Sequence, residues 1–201
     1  MLFRSMNFTG MSLVEVAAAV ATHLRTHGIE VVIVGGSAIT SHVPAVYTSM
    51  DIDFAVTSGS DRHTIVRALS EVGFQQRGRI FVHPDTVYTL DFVPDTPHID
   101  REPIHDFAEI RTSVGSVLAL RLEDAIADRV AAFLHWSDSE SLDVAERSIA
   151  AARDRLTWDR IAAALSKLDT SNIGQQAANG PSPRTPTASH RGDVATYAEQ
   201  P

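Results

Sequence analysis

The spacing of apolar residues predicts that a helix opens the chain and that a short strand follows it. Over residues 12–28 apolar positions recur at helical spacing and form one stripe, Leu13, Val16, Ala17, Val20 and Leu24. Ser12 and Glu15 form a capping-box pair at the start of this helix, and Gly28 ends it. Residues 30–34 include four consecutive β-branched residues, 31–34, and lead into a double glycine, so they predict a strand that stops there.

The pattern then alternates before it becomes helical. Residues 51–56 and 87–93 predict two more strands, and residues 61–71 predict a helix between them. Shorter apolar runs near Phe81 and Ile110 also predict strands. From residue 122 onward the apolar period is that of a helix, and Trp136 and Trp158 are predicted to pack on its apolar stripes.

These patterns divide the chain into three predicted parts. Residues 1–115 form an α/β core, and residues 116–170 form a small C-terminal helical part. Residues 171–201 consist mainly of small and polar residues with almost no large apolar side chain. Such a composition cannot offset the entropy lost on ordering, so we predict a disordered tail.

The composition limits the kinds of metal site and of binding partner that we expect for this chain. The 201 residues contain no cysteine, so a metal would be held by oxygen or imidazole ligands, and a hard cation such as Mg²⁺ fits oxygen best. The net charge of −8 argues against an extended polybasic surface for nucleic acid. The apolar runs fall short of the roughly 20 residues that a membrane helix needs. With no cleavable signal pattern at the N-terminus, we predict a cytoplasmic location and no membrane contact.

Three aspartates lie in predicted strands. Asp51 and Asp53 are two residues apart, so they share one face of their strand. Neighbouring carboxylates repel unless a cation lies between them, and a divalent metal would supply that charge. The alternative is that both simply lie on a solvent-facing side of the sheet. Asp91 interrupts a run of good strand residues, and it would join the same cluster if its strand lay beside that of Asp51.

The double glycine offers a second feature of a nucleotide site. Gly35, Gly36 and Ser37 follow a strand and open a short helix, so their N–H groups could approach phosphate oxygens without obstruction. A double glycine at this place is also compatible with an ordinary tight turn.

Taken together, Gly36-Ser37, the run Asp51-Ile52-Asp53-Phe54 and the later Asp91 resemble the DNA polymerase β-like nucleotidyltransferase superfamily. More narrowly, residues 34–38, 48–54 and 122–129 are similar to the AbiEii-like nucleotidyltransferase toxins of bacterial toxin–antitoxin systems. The resemblance implies a mixed sheet with flanking helices, followed by a small C-terminal helical part.

The resemblance also implies roles for individual residues. Asp51, Asp53 and Asp91 would bind Mg²⁺, or Mn²⁺, and carry the catalysis. The nucleotide would be held by Gly35, Gly36, Ser37, Ser49, Arg129 and Asp143. Arg129 stands where the family has a lysine, and Tyr47 stands where many relatives have an arginine.

The function implied is transfer of NMP from an NTP to an acceptor hydroxyl, with the tRNA 3′ end as acceptor and a cognate antitoxin protein as partner. Two alternatives stay open, namely transfer of NMP to a protein hydroxyl and a catalytically inactive nucleotide- or antitoxin-binding module. If RNA is the acceptor, we expect a local positive rim to compensate for the acidic chain. Its expected members are Arg77, Arg79, Arg111, Arg121 and Arg129.

Overall fold

The computed structural model describes residues 6–93, 96–99 and 102–168. The tail predicted for residues 171–201 lies outside these described residues. In chain order the elements are α1 (Leu13–Thr26), β1 (Val31–Val34), α2 (Gly35–His42), β2 (Asp51–Val56), α3 (Arg62–Glu71), β3 (Gln75–Arg77), β4 (Ile80–Val82), β5 (Thr89–Val93), β6 (His98–Ile99), β7 (Glu102–Pro103), β8 (Phe107–Thr112), β9 (Gly115–Leu120), α4 (Leu122–Trp136), α5 (Ser139–Ala152), a 3₁₀ turn (Arg153–Arg155) and α6 (Trp158–Leu165).

Seven of the strands form one mixed sheet, in the order β3-β4-β5-β2-β1-β9-β8. Two of its pairings are parallel, β2 with β5 and β1 with β9, and the others are antiparallel. Strands β6 and β7 form a separate two-stranded sheet. The α/β class and the mixed sheet with flanking helices are therefore confirmed.

Helix α1 supplies much of the core because its small apolar face packs closely against the sheet. Every residue from Val16 to Ala21 is buried, and the helix contacts β8, β9 and α3. Its start forms as the capping-box pair predicts, since the Glu15 carboxylate accepts from the N–H of Ser12 at 2.9 Å and from its hydroxyl at 2.8 Å. These hydrogen bonds lower the pKa of Glu15.

The helical part lies against the sheet through α4, which contacts β9 and also packs on α2, α5 and α6. Strand β9 runs across the boundary predicted at residue 115, so the sheet extends to Leu120 before the helices begin. The packing predicted for the two tryptophans is wrong: Trp136 is 65% exposed and Trp158 is 50% exposed. Within the described residues, no helix has the length and hydropathy needed to cross a bilayer.

A cluster of two aspartates and two arginines ties α4 and α6 to the chain ahead of β8. Arg121 binds Asp106 through two hydrogen bonds of 2.8 and 2.9 Å, and Arg160 binds the same carboxylate at 2.7 Å. Arg160 also bonds to the buried Asp124 in the first turn of α4. We call these four residues the paired cluster, because each carboxylate in it has an arginine partner.

Candidate active site

The register between β2 and β5 brings the three predicted aspartates together. Asp53 lies directly beside Asp91 across the parallel pair, and Asp51 lies beside Thr89. Neighbouring strands are about 4.8 Å apart, and residues two apart on a strand share a face. The three carboxylates therefore project from one face of the sheet, while Ile52 and Phe54 are buried on the other.

Two of the carboxylates already have partners. The Thr89 hydroxyl donates to Asp51, and the N–H of Phe92 donates to Asp91 at 2.9 Å. Arg79 reaches from the β3–β4 hairpin and bonds to the second oxygen of Asp91 at 2.7 Å. Because the Arg79 side chain is 83% exposed, solvent screens this ion pair strongly.

Asp53 is the carboxylate with the most perturbed electrostatics. Burial raises its pKa, the charges of Asp51 and Asp91 raise it further, and Arg129 and Arg79 oppose the rise, which leaves the pKa at about 6. A carboxyl in this state resists ionisation unless positive charge comes close.

A divalent cation fits this donor set. All three donors are carboxylates, which suit hard cations such as Mg²⁺ and Mn²⁺, and a cation would remove the repulsion that raises the pKa of Asp53. In the described part of the chain the three aspartates do not bring one oxygen each within 4.8 Å of the other two. A bound ion would therefore have to draw the carboxylates inward from their hydrogen bonds to Thr89 and Arg79.

The glycine turn lies directly against Asp53. Gly35 has φ of +62°, and a Cβ there would lie 3.0 Å from the Asp53 carboxylate, so both backbone conformation and space favour glycine. A Cβ at Gly36 would lie 2.9 Å from the ring of Tyr47. Helix α2 begins at this turn without a side-chain cap for its first N–H groups, and the turn lies beside the Asp53 carboxylate.

The two serines predicted to contact nucleotide have their hydroxyls in other bonds. Ser37 is fully buried, donates to the Val34 carbonyl at 2.8 Å and accepts from the Asp53 N–H at 3.1 Å. Ser49 is buried too, and its hydroxyl donates to the Asp51 carbonyl at 2.7 Å. Ser37 thus joins β2 to the glycine turn, and Ser49 bonds to Asp51, the first residue of β2. Both side chains hold the strand that carries the aspartates.

Arg129, predicted to bind phosphate, does reach the glycine turn. One guanidinium nitrogen lies 3.9 Å from the position that a Cβ on Gly35 would take. The same nitrogen bonds to Asp128 at 2.7 Å, and the other terminal nitrogen reaches Ser141 at 3.3 Å. Its Nε is buried without a hydrogen-bond acceptor, so the guanidinium retains one unused donor.

Several other predicted residues have ion-pair partners within the protein. Asp143 pairs with Arg147 in an exposed i,i+4 ion pair at 2.8 Å. Arg111 pairs with Glu109 at 2.6 Å, and Arg121 belongs to the paired cluster. The expected positive rim is therefore smaller than predicted, with Arg79 and Arg129 at the aspartates.

Sequence reasoning missed the contributions of Thr89 and of the Tyr47 ring. Thr89 lies two residues before Asp91, so the alternation of side chains already placed both on one face. Tyr47 is half-buried against Gly36, and desolvation raises the pKa of its hydroxyl. The ring of Tyr47 packs on the glycine turn from the far side of α2 in the sequence. The local pattern around Tyr47 therefore does not indicate this contact.

Comparison with solved structures shows that the fold of this chain is similar to that of a nucleotidyltransferase-like protein. The chain is similar to an antigenic nucleotidyltransferase-like protein from Paracoccidioides brasiliensis, with a TM-score of 0.51 and 15% identity over 85% of this chain and 93% of that one.

Two structures of the antibiotic-resistance factor ANT(2″)-Ia also match. Its solution structure gives a TM-score of 0.47 and 14% identity over 83% of this chain and 93% of that one. Its complex with adenylyl-2″-tobramycin gives a TM-score of 0.47 and 16% identity over 75% of this chain and 95% of that one. No protein-family model and no curated protein sequence matches the chain.

Proposed function

We propose that this chain is a Mg²⁺-dependent nucleotidyltransferase that moves an NMP group from an NTP to an acceptor hydroxyl. The observation that carries the proposal is the Asp51, Asp53 and Asp91 face, where the pKa of Asp53 is raised to about 6 beside an uncapped glycine turn. The nearby Arg129 supplies positive charge next to the same turn.

The chain's own residues divide the work between them. The N–H groups at Gly35 and Gly36 and the guanidinium of Arg129 would bind the triphosphate, and Ser37 holds that turn against Asp53. A bound Mg²⁺, or Mn²⁺, would neutralise charge on the reacting phosphates. Its ligands would be Asp51, Asp53 and Asp91.

The reaction itself is a substitution at the α-phosphorus. The acceptor oxygen forms a bond to phosphorus while the bond to the bridging oxygen of pyrophosphate breaks, and pyrophosphate leaves with that electron pair. We assign the proton of the attacking hydroxyl to Asp91. Its carboxylate is oriented by the N–H of Phe92 and lies beside Asp53 in the sheet.

For the acceptor we propose a tRNA 3′ end, and for the biology a cytoplasmic toxin that a cognate antitoxin protein neutralises. Both rest on the resemblance to AbiEii-like proteins. Because Arg111 and Arg121 are paired elsewhere, only a small positive surface remains near the aspartates. We therefore expect the protein to grip the acceptor end rather than the tRNA body, so that few phosphates are neutralised.

The test is to incubate the protein with Mg²⁺, each labelled NTP in turn, and either total tRNA or a co-expressed neighbouring protein, and then to locate the label. We expect label on tRNA, and we expect it to disappear in Asp53→Asn. Asp154→Asn makes the same chemical change on an exposed turn and should retain the label.

Other outcomes select the alternatives. Label found on protein alone would replace tRNA with a protein acceptor. Nucleotide binding without labelling of any acceptor would support an inactive binding module, and labelling that persists in Asp53→Asn would contradict the assignment of the site.

A further inference from the structure

A second group of possible metal ligands lies away from the aspartates, where the C-terminal ends of α1 and α3 meet. His23 lies in the last turn of α1, His27 is its C-terminal cap, and Glu71 is the last residue of α3. One ligand atom from each residue lies within 4.8 Å of the other two. Among the described residues this is the one group of three such side chains.

The distances are close to those of a four-coordinate metal site. The Glu71 Oε2 lies 2.9 Å from His27 Nε2 and 3.7 Å from His23 Nε2. Zinc–nitrogen and zinc–oxygen bonds of about 2.0–2.1 Å in a tetrahedron place ligand atoms about 3.3 Å apart. The two observed separations lie on either side of that value, and the ligand atoms of the two histidines lie within 4.8 Å of each other, so the three side chains are close enough to share one ion.

The helix supplies the spacing that makes this possible. Residues four apart lie one above the other on a helix face, which directs both imidazoles to the same side of α1. The two rings are 4.9 Å apart between centroids. All three side chains are partly exposed, between 17% and 29%, so an ion could enter from solvent and keep an open coordination position.

One hydrogen bond orients the imidazole ring of His23 in the metal-free protein. Its Nε2 lies 2.8 Å from the carbonyl oxygen of Ala68 in α3. A carbonyl can only accept, so this nitrogen carries a proton in the hydrogen bond. To ligate through Nε2, the atom that lies 3.7 Å from the Glu71 carboxylate, His23 would release the Ala68 carbonyl.

We propose that His23, His27 and Glu71 bind a divalent transition metal of the Zn²⁺ class, which ties the end of α1 to the end of α3. Two imidazoles and one carboxylate suit such a metal better than Mg²⁺, which prefers oxygen ligands alone. The ion would act as a structural tie between these helices, since binding to the folded arrangement stabilises it.

The test uses full-length protein without a histidine tag, stripped of metal with a chelator and titrated with Zn²⁺ against a chromophoric competitor. We expect one Zn²⁺ per chain with a higher melting temperature, and an affinity reduced about 100-fold or more in His27→Ala and in Glu71→Gln. The visible spectrum of bound Co²⁺ should show low-symmetry coordination in the wild type and lose it in both variants. His23→Ala is less informative, because it also removes the hydrogen bond to Ala68.

Two control variants test whether the bound Zn²⁺ lies at His23, His27 and Glu71. His63→Ala removes an exposed histidine of α3 and should bind Zn²⁺ as the wild type does. Asp53→Asn should also retain this binding. The proposal is overturned if the wild type binds no Zn²⁺ at about 100 µM, if both His27→Ala and Glu71→Gln bind it normally, or if Asp53→Asn abolishes the binding.

Discussion

The aspartate face of β2 and β5 and the paired cluster of α4 and α6 use the same two residue types with opposite results. At the aspartate face the pKa of Asp53 rises to about 6, first because of burial and then because of Asp51 and Asp91. In the paired cluster the hydrogen bonds from Arg121 and Arg160 lower the pKa of Asp106 to about 2.

The difference comes first from burial, because Asp53 is largely enclosed and Asp106 is exposed, and then from the charges that neighbour each carboxylate. Asp106 accepts from two guanidinium groups, whereas no ion pair to Asp51 or Asp53 occurs among the residues that the structure describes. Charges that are matched within the protein hold elements together. Charges left partly unmatched can instead bind an added cation, so we expect the aspartate face to be the functional one of the two regions.

The largest expected effect is on catalysis. Replacing Asp51 or Asp53 by asparagine removes a metal-ligand charge and should lower nucleotide transfer by roughly 1,000-fold, since metal stabilisation of the reacting phosphates is worth several kcal/mol. The melting temperature of the metal-free variant should hold or rise, because a carboxylate–carboxylate repulsion is removed as well. Transfer assays and thermal melts on the same preparations check both statements, and wild-type transfer rates in either variant would contradict the comparison.

In the paired cluster we expect a substitution to lower stability and to leave activity unchanged. Asp124→Ala leaves the Arg160 guanidinium without one of its two carboxylates, and its Nε already lacks an acceptor. We expect a loss of about 2–3 kcal/mol in the free energy of unfolding, measured by urea denaturation, with residual folded enzyme fully active. Asp143→Ala breaks an exposed i,i+4 pair and should cost about 0.5 kcal/mol or less. Equal losses in the two variants would show that the paired cluster is not a structural tie.

The two regions also predict different dependence on pH. A raised pKa at Asp53 means that the folded protein holds its proton more tightly than the unfolded chain does, so this stabilisation is present at low pH and is lost as pH rises through about 6. Between pH 5 and pH 7.5 the metal-free wild type should lose about 1 kcal/mol relative to Asp53→Asn.

Asp106 behaves in the reverse sense. Its lowered pKa contributes stability above the ordinary aspartate pKa, and that contribution is lost only as pH falls toward about 2. Chemical denaturation of the wild type and of Asp53→Asn between pH 5 and pH 7.5 measures the effect of Asp53 on stability. Parallel pH profiles for the two proteins would contradict the raised pKa of Asp53.

The smallest expected effect concerns Arg79, which pairs with Asp91 of the aspartate face. Arg79→Ala removes a competitor for Asp91, so Mn²⁺ should bind up to about fivefold more tightly, which is the scale of an exposed ion pair. Arg77→Ala removes the same charge from the same hairpin and serves as the matched control. Weaker Mn²⁺ binding in Arg79→Ala would show that Arg79 supports the cation instead of competing with it.

The sequence determined the features that depend on neighbouring residues. The start of α1 follows from Ser12 and Glu15, and the shared face of Asp51 and Asp53 follows from the alternation of side chains along a strand. The glycine turn before α2 was predicted in the same way. In each case backbone geometry over a few residues sets the outcome, so no knowledge of the rest of the chain is required.

The tertiary structure alone decided which distant groups meet. Asp91 faces Asp53 only because β5 pairs with β2 in one register, and a shift of one residue would have turned it to the opposite face. The hydroxyl of Ser37, which we predicted to contact phosphate, accepts a hydrogen bond from the Asp53 N–H that the local pattern did not indicate. His23 meets Glu71 through the packing of α1 on α3. Long-range pairing depends on the summed packing of the whole core, which local patterns do not specify.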